Sequence, residues 1–428
     1  MLVRAPMLVQ GALTSALSRP RAIRLRELGA PPVDSSPVEL QATRKPGELA
    51  PGRRAPRLAV IAVLALASVA LVACSPAAGG THSGVARTSV RPRRTLAKRP
   101  AVFGVGYGIV TWTDKEGYTE NFYEGTTQPG RVLQVEIFYP SLSAKPSVPV
   151  ALAAPAYRFG PYPVIVFAHG FAVDPNTYRA LLVSWVEAGY VVVAPFFPDT
   201  SSPAIEAQHG ADTELDMFNQ PADVAFVVSQ VVKAEKDSPL TRVGYLAGMM
   251  NTDRLVLAGQ SDGGDTVAAL MYDRAYASTR ALLPLRPVAV ALLSGAEWTR
   301  SEDVYSAPST PGPPVLVVQS LTDACNYPVD SSRLYNMVSA PKWFLALDNA
   351  THLGPYVGLG AAAPTVEKVT VDFFDLATGQ AKTTPAMLER DGDKSGISTI
   401  TSAASVPLYP TPAWEPDACA PPTGVPTD

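Results

Sequence analysis

Short runs of β-branched and apolar residues recur through the middle of this chain, each too short to make a helix and each separated from the next by helical spacing or a turn. Val164-Ile-Val-Phe-Ala168 is one such run. A strand without a polar position fits burial on both faces. Residues 177–188 follow it, with Tyr178, Leu181, Leu182 and Trp185 at helical spacing. The alternation continues with strand 191–194, helix 223–233, strand 254–258, helix 264–272, strand 288–293, strands 315–319 and 343–347, and a helix over about 365–376. Residues 132–139 alternate apolar and polar, as an earlier strand would. Strands interleaved with helices predict an α/β fold: a mostly parallel sheet with helices on both faces, occupying residues 101–384. No internal repeat interrupts it. The stretch 198–220 is long and polar between a strand and a helix, and is expected to form a small lid.

The flanks differ in composition. Residues 1–73 carry ten Arg and Lys against four Asp and Glu, so the remainder holds 25 basic and 34 acidic residues, a net of −9. A body that acidic lacks the electrostatic footprint of a nucleic-acid binder. The basic residues of the flank fit an export signal instead. Arg53, Arg54 and Arg57 precede sixteen small and apolar residues, 58–73, and Cys74 ends the run. Sixteen residues is short for a membrane span, which needs about 20. A charged start, a short apolar stretch and small residues at the exit describe a signal peptide. Leu71-Val-Ala-Cys74 is similar to a bacterial lipobox, which implies a diacylglyceryl group on the Cys74 thiol and an outward-facing anchor on the bacterial cell membrane. The competing reading is an uncleaved span. Residues 74–100 read as a flexible tether, and 385–428 as a Pro-, Ser- and Thr-rich tail packed on the domain.

Gly259-Gln-Ser-Asp-Gly263 follows the apolar strand 255–258 and precedes Gly264 and the helical run 266–271. G-x-S-x-G at a strand-to-helix turn is the setting in which a serine is pushed into the open at the C-terminal end of a strand. In an ordinary Gly-rich turn the serine would only cap the helix. A serine needs a base, and the chain has four histidines: His82 in the tether, His169 just past a strand, His209 in a polar stretch and His352 just past the last strand. The base should sit at the same sheet end and follow the acid in the chain, which selects His352. The acid should come two strands after Ser261. Asp323 lies just beyond strand 315–319, placed to orient His352. Asp330 is the alternative acid, and Asp348 is expected to shape the loop of His352.

A tetrahedral intermediate needs two donors aimed at its oxygen. The backbone N–H groups of Asp262 and Phe171 are the candidates, and His169 is expected to hold the loop that carries Phe171. The Asp262 carboxylate suits the first turn of a helix, and its charge would disfavour anionic substrates. Trp298 and Tyr356, with Tyr157, Phe159 and Phe171, are candidates for an apolar substrate pocket.

Residues from about 163 to 374 resemble the α/β-hydrolases related to dienelactone hydrolase, chlorophyllase and the bacterial polyester-hydrolase cutinases. The stretches that carry the likeness are Pro163-Val-Ile-Val-Phe-Ala-His-Gly-Phe171, Gly189-Tyr-Val-Val-Val-Ala-Pro195, Gly259-Gln-Ser-Asp-Gly-Gly264, Thr322-Asp323 and Ala350-Thr-His352. The sequence departs from the cutinases at Asp262, where they carry Met, and at Phe171, where Tyr is frequent. Platelet-activating-factor acetylhydrolases share parts of the pattern. The resemblance implies carboxylic ester hydrolysis through an acyl-enzyme, with Ser261 as nucleophile, Asp323 as acid and His352 as base, and with no cofactor. Amide or peptide hydrolysis by the same residues is an alternative. So is a surface lipoprotein that kept the scaffold and only binds ligands. The expected partners are a small-molecule or lipid ester and a membrane, with the chain acting as a monomer.

With Cys74 lipidated, Cys325 and Cys419 remain as an even pair in an exported protein and are expected to bridge, tying the tail to the loop of Asp323. No His and Cys spacing resembles a zinc site, so no metal is expected.

Overall fold

The structure, a computed structural model, describes residues 100–210, 214–236, 246–296, 312–339, 341–413, 415 and 417–421. All belong to one compact unit, Pro92–Asp428. The expected signal peptide, Cys74, nearly all of the tether and Trp298 lie outside the described residues.

Ten strands form a single sheet: β1 (Gly104–Asn121), β2 (Thr126–Ser141), β3 (Val150–Ala151), β4 (Tyr162–Ala168), β5 (Val191–Phe196), β6 (Met250–Gln260), β7 (Ala289–Leu293), β8 (Val315–Ser320), β9 (Lys342–Leu347) and β10 (Ser398–Thr401). Their spatial order is β10-β9-β8-β7-β6-β4-β5-β2-β1-β3. β4 to β9 run parallel. β2 lies antiparallel to both β1 and β5, and β10 antiparallel to β9. The helices are α1 (Arg179–Glu187), α2 (Ser202–Ala207), α3 (Gln220–Lys236), α4 (Asp262–Tyr272), α5 (Ala277–Ala281), α6 (Pro328–Met337), α7 (Ala363–Thr378) and α8 (Pro385–Gly392). This is the α/β-hydrolase fold.

The all-apolar strands are buried on both sides because consecutive side chains point to opposite faces. Val164, Val166 and Ala168 of β4 join one core with Val224, Val227 and Val231 of α3 and Val267 of α4. Ile165 and Phe167 join the other with Leu182 and Trp185 of α1 and Val366, Phe373 and Phe374 of α7. The chain reverses its direction of travel across the sheet between β4 and β6, and a crevice opens beyond the carboxyl ends of strands at such a point.

Several elements depart from the sequence reading. β1 is an 18-residue strand, although its glycines and outward polar residues gave no apolar run. α6 is a helix whose buried face includes Ser331 and Ser332. Residues 385–428 are not merely a surface tail. They include α8, which buries Leu388, and β10, which adds a strand to the sheet and buries Ile400.

The stretch after β5 is pinned down by charge. Arg131, at the start of the buried part of β2, is itself buried. It donates from Nε to Asp223 of α3 (2.7 Å), from Nη1 to Asp199 (3.2 Å) and from Nη2 to Asp216 (2.5 Å). Three buried carboxylates thus share one guanidinium. Burial pushes the Asp223 carboxyl up to about 7, despite Arg131, and burial together with Asp216 pushes Asp199 up as well. A carboxyl whose folded pKa exceeds its unfolded value costs stability when ionised. That cost is absent below the ordinary carboxylate range and complete above about pH 7. Removing this cation should therefore hurt most at high pH. Arg131→Leu is expected to lower unfolding free energy by about 3–5 kcal/mol at pH 8, and by clearly less at pH 5. Urea unfolding of both proteins at the two pH values measures this.

Candidate active site

The serine turn is built by close contact. β6 ends at Gln260 and α4 begins at Asp262, so Ser261 alone makes the turn, with φ 54° and ψ −129°. That conformation is strained for a residue with a Cβ and persists only where neighbours over-determine it. The neighbours do so here. A Cβ at Gly259 would lie 2.1 Å from the carbonyl oxygen of Gly263, and one at Gly263 would lie 2.0 Å from that of Ala168 in β4. The Ser261 amide donates to the Leu293 carbonyl of β7 at 3.0 Å. The turn is thus clamped between the ends of the strands flanking β6.

His352 and Asp323 meet Ser261 at this sheet end. His352 Nδ1 lies 2.8 Å from Asp323 Oδ2, and His352 Nε2 lies 2.8 Å from Ser261 Oγ. An ionised carboxylate only accepts, so Nδ1 carries the ring proton and Nε2 is left to accept from the serine hydroxyl. Asp323 is wholly buried and fully engaged. Its Oδ1 accepts from the amides of Cys325 (2.9 Å) and Asn326 (3.1 Å), and its Oδ2 also accepts from Gln319 Nε2 (3.2 Å). Four donors fix the carboxylate that orients the imidazole. Asp330, the alternative acid, instead pairs with Arg333 on α6 at 2.9 Å. Asp348 is exposed at the end of β9.

The loop after β4 lies beside the serine, and Gly170 and Phe171 line the same cleft as Ser261 and Asp262. His169 is fully buried, and its Nε2 accepts from the Phe197 amide at 3.0 Å. Its Nδ1 must then carry the proton and donate to the Gly170 carbonyl at 2.7 Å. Burial keeps the ring neutral by lowering its pKa to about 4. His169 therefore ties the loop to the end of β5. Asp262 opens α4, where the first-turn N–H groups have no carbonyl one turn earlier in the helix.

Two residues without an expected role connect these parts. The Tyr178 hydroxyl accepts from the Gly170 amide (3.1 Å) and donates to Gln260 Oε1 (2.6 Å). Gln260 Nε2 in turn donates to the His352 carbonyl (3.3 Å). The loop after β4, the serine turn and the histidine loop are thus joined by one buried chain of hydrogen bonds. Tyr178 reads in the sequence as an apolar helix-face residue, and Gln260 occupies a free position of the serine motif, so neither carried a signal.

The cleft holds about 480 Å³. Phe171, Val173, Met217 and Leu353 give it apolar surface, and Glu214, Asp262 and Asp265 give it carboxylates. No Lys or Arg is among its described lining residues. Tyr356 is not in its wall. It is fully buried beneath the site, its hydroxyl 2.9 Å from Ser294 Oγ, because the one-turn helix after His352 directs the ring into the core. Tyr157 and Phe159 precede β4 and therefore lie at the opposite end of the sheet. The stretch 198–220 contributes Glu214 and Met217 to the cleft, but Arg131 holds it. Cys325 and Cys419 are bridged, and Cys419, Ala420 and Pro421 line the cleft too.

Among known proteins, the sequence profile of the Chlorophyllase family matches residues 118–294. That span includes Ser261 and ends before Asp323 and His352. A solved structure of a ferulic acid esterase from Streptomyces cinnamoneus aligns with 68% of this chain and 95% of its own, at 18% identity and a TM-score of 0.49. No curated protein matches the chain.

The Tyr178 hydroxyl is the junction of the buried chain. Tyr178→Phe leaves the Gly170 amide and Gln260 Oε1 without their partner, and is expected to cost about 1–3 kcal/mol of stability. Chemical denaturation measures it, and an unchanged midpoint would remove Tyr178 from this framework.

Proposed function

We propose that this chain is a serine hydrolase that cleaves carboxylic esters through an acyl-enzyme. The observation that carries the reading is the continuous contact Ser261 Oγ, His352, Asp323, with both links at 2.8 Å. The match to the Chlorophyllase family over the serine turn agrees with it.

In this reading Ser261 Oγ attacks the ester carbonyl while His352 Nε2 takes its proton. Asp323 stabilises the imidazolium that forms and stays ionised. The carbonyl oxygen becomes an oxyanion and accepts from the backbone N–H groups of Asp262 and Phe171. His352 then returns the proton to the leaving alcohol, and the acyl group stays on Ser261. A water molecule, deprotonated by His352 Nε2, attacks the acyl carbonyl; the bond to Ser261 Oγ breaks, His352 returns the proton to Oγ, and the acid product leaves. Every step uses the chain's own groups.

The lipoprotein signal belongs to the same proposal: export, removal of residues 1–73, and anchoring through a lipidated Cys74, with 74–100 as the tether. The Cys325–Cys419 bridge supports it, since such bridges persist in oxidising compartments.

A fluorophosphonate probe is expected to label Ser261 in the folded protein, and Ser261→Ala to abolish labelling and lower p-nitrophenyl ester turnover by on the order of 10⁴-fold or more. A wild-type protein that neither labels nor turns over would favour the ligand-binding alternative.

The cleft's charge predicts its selectivity. Asp262, Asp265 and Glu214 are among the residues that line the cleft, so neutral esters should be preferred over anionic ones. One carboxylate near the reacting centre contributes roughly 1–2 kcal/mol at effective protein permittivity. Asp262→Asn should therefore raise kcat/KM for a succinate half-ester about tenfold relative to a neutral ester of equal length. Equal relative rates would assign Asp262 to the helix start alone.

A further inference from the structure

The C-terminal segment reaches the cleft by a fixed route. After β10 the chain crosses α6, where the Val406 amide donates to Asn336 Oδ1 (2.8 Å) and Asn336 Nδ2 donates to the Val406 carbonyl (2.9 Å). Tyr409 then stacks on Phe344 of β9, with ring centroids 5.7 Å apart. Farther on comes a turn in which the Ala420 amide donates to the Asp417 carbonyl at 3.1 Å. Cys419 in that turn is bonded to Cys325, 94 residues earlier, with the two Cα atoms 5.0 Å apart.

That bridge does not stand at a remote point of the surface. Cys325 is two residues past Asp323, and its amide donates to Asp323 Oδ1. Cys419, Ala420 and Pro421 line the same cleft as Ser261 and His352. Their side chains are small and exposed, with no charge, in a cleft whose lining also includes the acidic residues Glu214, Asp262 and Asp265.

We propose that the turn at Cys419–Pro421 is a substrate-contacting wall of the cleft, held there by the Cys325–Cys419 bridge, and that it limits the size of the ester group the site accepts on that side. The inference rests on the ester-hydrolase reading of Ser261. The wall selects compact esters over bulky ones. It acts by contact with substrate. Asp323 is held independently by three further donors, the Asn326 amide, Gln319 and His352.

Two changes test the wall from opposite directions, and the readout is the ratio of kcat/KM for p-nitrophenyl decanoate to that for p-nitrophenyl acetate. Ala420→Trp narrows the cleft with the bridge intact, and should lower the ratio at least tenfold. The double variant Cys325→Ser/Cys419→Ser releases the turn, and should raise it at least threefold, whatever loss of kcat the two esters share. A general disturbance of Asp323 would lower both esters alike and leave the ratio unmoved. Ratios within twofold of wild type in both variants, each still labelled by the fluorophosphonate at Ser261, would overturn the wall and leave the hydrolase standing. A wild-type protein that is neither labelled nor active would overturn both.

Discussion

The site hangs on how closely α4 approaches the sheet where β6 ends. Ser261 occupies a backbone conformation that costs on the order of 1–3 kcal/mol for a residue with a side chain. It stays there because the turn has no space to relax. Gly259 and Gly263 press against each other, Gly263 presses on the Ala168 carbonyl of β4, and a Cβ at Gly295, just past β7, would lie 2.5 Å from the Ser261 carbonyl. The serine's position is therefore a property of the register among β4, β6 and β7. Those registers are set in turn by strands with no polar face to expose. Sheet packing, rather than the loop itself, places the hydroxyl.

From that point outward, buried polar groups take over from apolar packing. Asp323 and His169 are both fully enclosed, and an enclosed polar group is tolerable only with its bonds made. Asp323 has four donors. His169 has one partner on each ring nitrogen and is kept neutral by burial. The network from Gly170 through Tyr178 and Gln260 to the carbonyl of His352 closes the arrangement, so that three loops from three strands cannot move separately without breaking a buried bond. Such a framework suits a reaction whose charge develops in place, because the donors need not reorganise when the charge appears.

The sheet was legible because its strands are apolar on both faces. The runs at 164–168, 191–194 and 315–319 leave a sequence reader few choices, and the motif at 259–263 marks where the sheet carries its serine. His352 followed from chain order and the scarcity of histidines. The illegible parts share a physical cause: their stability comes from contacts remote in sequence. β1 pairs with β2 on both sides of an irregularity between Asp114 and Tyr118, yet more than half its residues face solvent or are glycine. α6 buries serines that bond Gln319 and the Pro328 carbonyl, so it shows no apolar stripe. Tyr356 sits close to His352 in sequence, but its ring points down into the core, a direction that spacing alone does not give.

Two segments that border the cleft, around Met217 and around Ala420, are each fastened by a different device in addition to their apolar contacts. Around Met217 it is the buried guanidinium of Arg131 among three carboxylates; around Ala420 it is a covalent bridge. Both fastenings are polar or covalent rather than apolar. The consequence is a division of labour within one fold. Substitutions in the core disturb the Ser261–His352–Asp323 arrangement and the fold together. The cleft's borders can change length and composition while the strand ends keep their register. Ionic and covalent anchors suit this role because they hold a short segment at one point without requiring a complementary apolar surface beneath it.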